Sequence, residues 1–87
     1  MSKRIVVYGL GKLYQKYKQH IEACDKVVAH CDKNTELVKE YSDGITAFEL
    51  SQNIDYYDEV MVTAKMVRVL PYLKKELHIP KNKIKYF

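Results

Sequence analysis

Eighty-seven residues, 47% of them apolar and 30% charged, make one globular domain with a single core and no mass for the second lobe that two-domain chemistry needs. The longest apolar stretch, Ile5 to Leu10, is far short of the roughly 20 residues of a membrane span, and Met1-Ser2-Lys3-Arg4 leads into a strand-like run without a small-residue cleavage site. Neither a spanning helix nor a signal peptide is expected, and the cytoplasm is the default location.

Arg4 to Tyr8 (Arg-Ile-Val-Val-Tyr) is β-branched, aromatic and almost continuously apolar, the pattern of a central parallel strand covered on both faces. After Gly9-Leu10-Gly11, the residues Leu13, Tyr17, Ile21 and Cys24 recur at helical spacing with lysines and glutamine between them, which predicts an amphipathic helix packed on that strand. Asp25 and Lys26 turn the chain into a second buried strand, Val27 to Cys31, ending at Asp32. The stretch from Asp32 to Asp43 is polar, with a short helical turn expected at Asn34-Thr35-Glu36 and a turn signal at Ser42-Asp43-Gly44. Ile45-Thr46-Ala47 is read as a short edge strand, Phe48 to Gln52 as a helical turn, and the apolar end of Tyr57 to Thr63 as a third core strand. Met66 to Leu77 follows as a helix with Val67, Val69, Leu70, Leu73 and Leu77 inward, and Pro71 is expected to kink it or mark its first turn. Ile79-Pro80 ends that helix, and Ile84 to Phe87 closes the sheet.

This alternation calls for an α/β fold, three-layered, with right-handed crossovers and helices on both faces of a parallel sheet of about four to five strands. The expected strand order is 3-2-1-4-5, half of a doubly wound arrangement, in a single domain over residues 1–87. The chain reads either as a minimal stand-alone domain or as one cut from a longer protein.

The chemistry-bearing residues cluster at the first strand-to-helix turn. There a glycine allows a sharp bend and a second lets a pyrophosphate approach the helix N-terminal amides, and Gly9 and Gly11 fill these places. The third position of that fingerprint holds Tyr14, whose ring is expected to push the helix outward or point away from the sheet. Asp32, 21 residues after Gly11, stands where an acid would bind a ribose diol, although Lys33 beside it would suit a 2′-phosphate. Lys12 is placed to reach phosphates, and Thr63-Ala64, at the carboxyl end of the third core strand, faces the same crevice. The competing reading is a tight turn, a solvated acid and a strand that merely ends in small residues, with no ligand.

No catalytic residues are assigned. His20 lies on a helix flank, His30 within a strand and His78 at a helix end that suits a cation, and none has partners at triad spacing. His30-Cys31-Asp32 contains nucleophile, base and acid, but neighbours on a strand alternate faces. Cys24 and Cys31, the only cysteines, lack metal-ligand spacing and read as reduced, partly buried thiols, so no metal is expected. The eight tyrosines, Met61 and Met66 are taken as core filling rather than a base-stacking platform. The net charge of +4 is segregated: six basic and two acidic residues in 1–26, two and eight in 32–59, seven and one in 60–87. Such faces attract phosphates or a charged partner, but no nucleic-acid signature accompanies them.

The segments "RIVVYGLGKLYQKYKQHIE", "VVAHCDKN", "GITAFEL", "YDEVMVTA" and "LKKELHIPKNKI" together resemble the small Rossmann-like modules at the N-termini of bacterial capsule and lipopolysaccharide biosynthesis proteins. That resemblance implies a module binding a nucleotide-containing small molecule such as NAD(P), CoA or a nucleotide sugar, joined to a downstream sugar-modifying domain, with Gly9 and Gly11 at the phosphate turn and Asp32 as the acid. It supplies no Tyr-x-x-x-Lys catalytic pair, since Tyr8/Lys12 and Tyr14/Lys18 have the spacing but surround the first helix. The alternative is a non-catalytic interaction or scaffold domain that keeps the fold without a nucleotide, with a homodimer among its forms.

Overall fold

A computed structural model describes residues 3–63 and 66–86, with the backbone alone for 66–68. Its sheet has four parallel strands, β1 (Arg4–Tyr8), β2 (Lys26–Cys31), β3 (Glu59–Val62) and β4 (Ile84–Tyr86), in the order β2-β1-β3-β4. The fold is therefore α/β with β1 at the centre of an all-parallel sheet, as the apolar run at Ile5 to Tyr8 requires: all four side chains are buried.

Alternate residues of β1 supply two separate cores. Val6 and Tyr8 join Cys31, Val60 and Val62 on one face, covered by α3 (Ala47–Gln52) and the segment after α4 (Met66–Pro71); Ile5 and Val7 join Tyr14 and Ile21 of α1 (Lys12–Cys24) on the other. Val38, in the short α2 (Thr35–Val38), extends that second core. From β1 the crossover to β2 steps one way, and from β3 the crossover to β4 steps the other. Keeping one hand for both places their helices on opposite faces, and the two cores have that arrangement.

The sheet differs from the expected 3-2-1-4-5 order at its β2 edge. Residues 45–47 form no strand, and the contact there is a single parallel bridge between His30 and Gly44. The cause is local. Thr46 is the N-cap of α3: its side chain accepts from the Glu49 N–H at 3.1 Å while Glu49 Oε1 accepts from the Thr46 N–H at 3.1 Å. This reciprocal capping leaves Thr46 extended but starts the helix at Ala47, three residues after the bridge.

Helix α1 also packs differently from its expected face. Tyr14 and Ile21 are its buried residues, whereas Leu13 is 39% exposed and Cys24 is exposed. The inward stripe is Leu10, Tyr14, Tyr17 and Ile21, one position on from Leu13, because the Tyr14 hydroxyl has a partner beneath the helix. So Tyr14 does not point away from the sheet; its ring lies fully buried between α1 and β2.

The Met66 to Leu77 helix is broken as its proline requires. It runs as α4 to Pro71 and continues over Tyr72–Glu76 as a π-helical turn closed by Leu77 N–H to the Tyr72 carbonyl at 3.2 Å. Leu73 is fully buried and Val69, Leu70 and Leu77 pack beside it. Of the expected core residues, the side chains of Val67 and Met66 lie outside the described residues, as do Ala64, Phe87 and the first two residues. The chain reverses at His78, whose φ of 55° is left-handed, with Ile79 N–H bonded to the Leu73 carbonyl at 3.0 Å.

At the amino ends of the strands Asp58 accepts from the Arg4 N–H at 2.8 Å and from its guanidinium at 3.2 Å. These bonds hold the Asp58 carboxyl below the usual carboxylate range, but the pair is solvent-exposed and fixes strand register more than it stabilises. No helix among the described residues is long and apolar enough to cross a membrane.

Candidate functional site

In an open parallel sheet a ligand crevice forms at the carboxyl ends of the strands, where successive connections leave for opposite faces. Here that point lies between β1 and β3, and it brings Gly9, Gly11, Lys12, Asp32 and Thr63 to one end of the sheet.

The first half of the turn is held by the chain itself. Gly9 has φ +110°, and a methyl group there would stand 2.9 Å from Thr63 Oγ1 and 3.1 Å from the Thr63 backbone. Glycine is thus required by conformation and by contact. The Gly9 N–H reaches the Cys31 carbonyl at 2.9 Å, Thr63 N–H reaches the Tyr8 carbonyl at 2.9 Å, and the buried Thr63 hydroxyl donates to the Gly9 carbonyl. Asp32 is committed too: Oδ2 accepts from the Leu10 N–H at 2.6 Å and Oδ1 from the Asn34 N–H at 2.7 Å. A carboxylate set on two amides ties the turn after β1 to the end of β2 and has an internal reason to be there.

The second half is open. Gly11 is the N-cap of α1 with φ −83°, which any residue adopts, and a methyl group there would meet none of the described residues within 4 Å. No side chain caps this helix and its first turn carries no acid. The first intrahelical bond is Gln15 N–H to the Gly11 carbonyl at 3.1 Å, so the amides of Lys12, Leu13 and Tyr14 precede the hydrogen-bonded ladder. With Lys12 exposed beside them, these donors and the positive end of the helix dipole favour an anion.

Beneath α1 lies a polar cluster that sequence reasoning missed. His30 Nδ1 is 2.5 Å from Asp43 Oδ1, and its Nε2 is 2.9 Å from the Tyr14 hydroxyl. An ionised Asp43 only accepts, so a neutral His30 donates from Nδ1 and accepts at Nε2 from Tyr14. The His30 ring stacks on Tyr41 at 4.0 Å, and Tyr41 in turn accepts from Gln15 at 3.0 Å. A bulge opposite Ile5 and Val6 gives β2 one extra residue, Val28, which switches the alternation so that His30 faces α1 and Cys31 the other core. Acid, imidazole and hydroxyl stand in the order of a proton relay, but the Tyr14 ring is fully buried and desolvation raises its hydroxyl above the ordinary tyrosine range. The cluster is a tie between α1, β2 and the 41–44 turn. Its only sequence signal is that Tyr14 follows Leu10 by one helical turn.

Burial likewise pushes the Cys31 thiol up to about 12, with the Asp32 charge adding to the effect, so it is an inert core group while Cys24 is exposed. His20 Nε2 lies 4.0 Å from Cys24 Sγ on α1, and His78 is the exposed reversal residue after the π-helical turn. Among the described residues no three His, Cys, Asp or Glu side chains converge as a metal site.

The family model described as C2185-like, N-terminal, matches residues 1–85. The chain belongs to this C2185-like N-terminal family. The match runs from the residues before β1 to the middle of β4, so every element of this C2185-like domain but the last residue of β4 falls within it. The family description names no ligand, activity or pathway. No curated protein and no solved structure matches the C2185-like chain at a significant level.

Proposed function

We propose that this chain is a nucleotide- or dinucleotide-binding module without catalytic residues of its own, with ligand phosphates set against the amides of Lys12, Leu13 and Tyr14. NAD(P), CoA and nucleotide sugars are the candidate ligands, and the setting in polysaccharide biosynthesis follows from the sequence resemblance. The observation that carries the reading is Gly11: among the described residues none packs where its side chain would stand, so the space beside the uncapped helix end is open to a ligand. Because Asp32 already serves two backbone amides, we place the ligand's grip on its phosphates rather than on its ribose.

The test is a titration of isotopically labelled protein with NAD, NADP, CoA, ATP and UDP-glucose, read by amide chemical shifts. Saturable shifts at Gly11 to Tyr14 are expected, weakened at least about tenfold in Gly11→Val, whose side chain would stand in the phosphate path. Shifts that Gly11→Val leaves unchanged, or silence across the panel, would remove any ligand role for the turn. Silence would favour the second reading, a protein-interaction domain, for which the specific observation is that Phe48 and Tyr56 are 70% and 58% exposed on neighbouring turns of the α3 side.

A further inference from the structure

The aborted strand at residues 45–47 leaves a cavity of about 360 Å³ beside β2, within the size range of small-ligand sites. Its apolar walls come from Val28, Ala29, Ile45 and Tyr57, and its polar lining from Asp43, Glu49 and Asn53, with the exposed Tyr56 ring alongside. Both carboxylates are fixed by bonds already described. Asp43 holds His30 through Oδ1, and Glu49 holds the Thr46 N–H through Oε1. Neither second carboxylate oxygen has a hydrogen-bond partner among the described residues. Both acids belong to the stretch 32–59, where eight acidic residues face two basic ones. Lys83, which lies over the ring of the lining residue Tyr57, is spent: its Nζ donates to the Ile54 and Tyr57 carbonyls at 2.8 and 3.0 Å.

We propose that this cavity binds a small organic cation, an ammonium or guanidinium group on a short apolar stem. The cation meets Asp43 and Glu49, the Tyr56 face adds a cation–π contact, and the stem lies on Val28, Ala29 and Ile45. Two carboxylates held at one oxygen each lose little freedom when the other oxygen engages a ligand, which is the condition for selectivity in a site of this size. A free small molecule fits better than a strand of a partner protein. The bulge at Val28 breaks the regular spacing of the β2 edge that an added strand would have to follow. The site is separate from the glycine turn, so it stands or falls independently of the nucleotide reading.

The experiment uses the full 87-residue chain, labelled for amide shifts and titrated with agmatine and n-butylammonium, with 1-butanol and pentanoate as neutral and anionic controls of the same stem. Saturable shifts are expected at Val28, Ala29, Gly44, Ile45 and Glu49 with the two cations, in the millimolar range or tighter, and at least tenfold weaker binding of both controls. Two variants remove charge while keeping the internal bonds: Glu49→Gln retains a capping-box acceptor, and Asp43→Asn retains an acceptor for His30. Each should weaken agmatine at least about threefold with amide spectra otherwise unchanged. Equal binding of butanol, undiminished agmatine binding in both variants, or no saturation would overturn the proposal. So would a lysine-containing extended hexapeptide binding a hundredfold tighter than agmatine, because the cation's source would then be a partner chain.

Discussion

The two glycines of the β1–α1 turn stand two residues apart and do opposite things. Gly9 is where the chain closes on itself: its φ is left-handed, the Thr63 hydroxyl lies against it, and Asp32 holds the next amide. At Gly11 the chain opens, with ordinary φ, no described residue within 4 Å of where a methyl group would stand and an uncapped helix behind it. A fingerprint scanned in sequence scores both alike. Once internal packing has accounted for Gly9, Asp32 and Thr63, what is left for a ligand to explain is Gly11, Lys12 and the amides that follow. That remainder is smaller than the motif and better aimed.

The comparison is most exposed to failure at Gly9. Gly9→Ala must adopt a conformation that costs about 1–3 kcal/mol in itself and must also displace Thr63 from a 2.9 Å contact, so a loss of about 3 kcal/mol is expected in urea unfolding. A loss under about 1 kcal/mol would mean that Gly9 is not locked and that both glycines belong to one flexible loop. Asp32→Ala comes next, at about 2 kcal/mol, because it strips acceptors from two backbone amides, one of them part-buried. Asp32→Asn keeps an acceptor and should recover about half of that. If Asp32→Ala is neutral in stability but weakens a bound nucleotide, the acid serves the ligand and the closed half of the turn has been misassigned.

Burial makes a further prediction that sharpens the role of Tyr14 behind the open half. Desolvation raises the folded-state hydroxyls of Tyr8, Tyr14 and Tyr57 above their unfolded value near 10. At alkaline pH the unfolded chain therefore loses protons that the native one keeps, and stability should be full below about pH 10 and fall as pH rises past it. In Tyr14→Phe that alkaline fall should be shallower, and the stability at pH 7 about 1 kcal/mol lower, since His30 Nε2 loses its donor. An unchanged alkaline slope would show that Tyr14 ionises freely and is not locked beneath α1.

The strands were legible because β1 and β3 carry continuous apolar runs that only a doubly covered parallel sheet can bury, and the α1 and α4 segments because their apolar spacing is helical. What stayed hidden was set by partners distant in sequence. The one-position rotation of α1 follows from His30, 16 residues away, accepting the Tyr14 hydroxyl. The orientation of His30 depends on a bulge, and an extra residue in a strand leaves no mark in local composition. The missing edge strand had a local cue, Thr46 and Glu49 at capping-box spacing, but the β-branched Ile45 and Thr46 argue for extended backbone at the same place. In the site, residue identities and the shared end of the sheet were readable, whereas the commitment of Asp32 and Thr63 to backbone groups was a matter of ångströms.

The smallest expected effect is the sharpest test of the open half. Gly11→Ala gives the N-cap of α1 a residue that caps less well than glycine, which destabilises by a fraction of a kcal/mol. It also restricts the unfolded chain, which stabilises by about 0.4–1 kcal/mol at a position whose φ of −83° alanine adopts freely. With no described neighbour to displace, the two should offset to within about 0.5 kcal/mol in urea unfolding. Nucleotide binding should nonetheless weaken, because the added methyl takes up open space beside the helix end that a phosphate would approach through. A stability loss approaching that of Gly9→Ala would show that Gly11 too is held by the architecture, and the one residue that points beyond the protein's own packing would no longer do so.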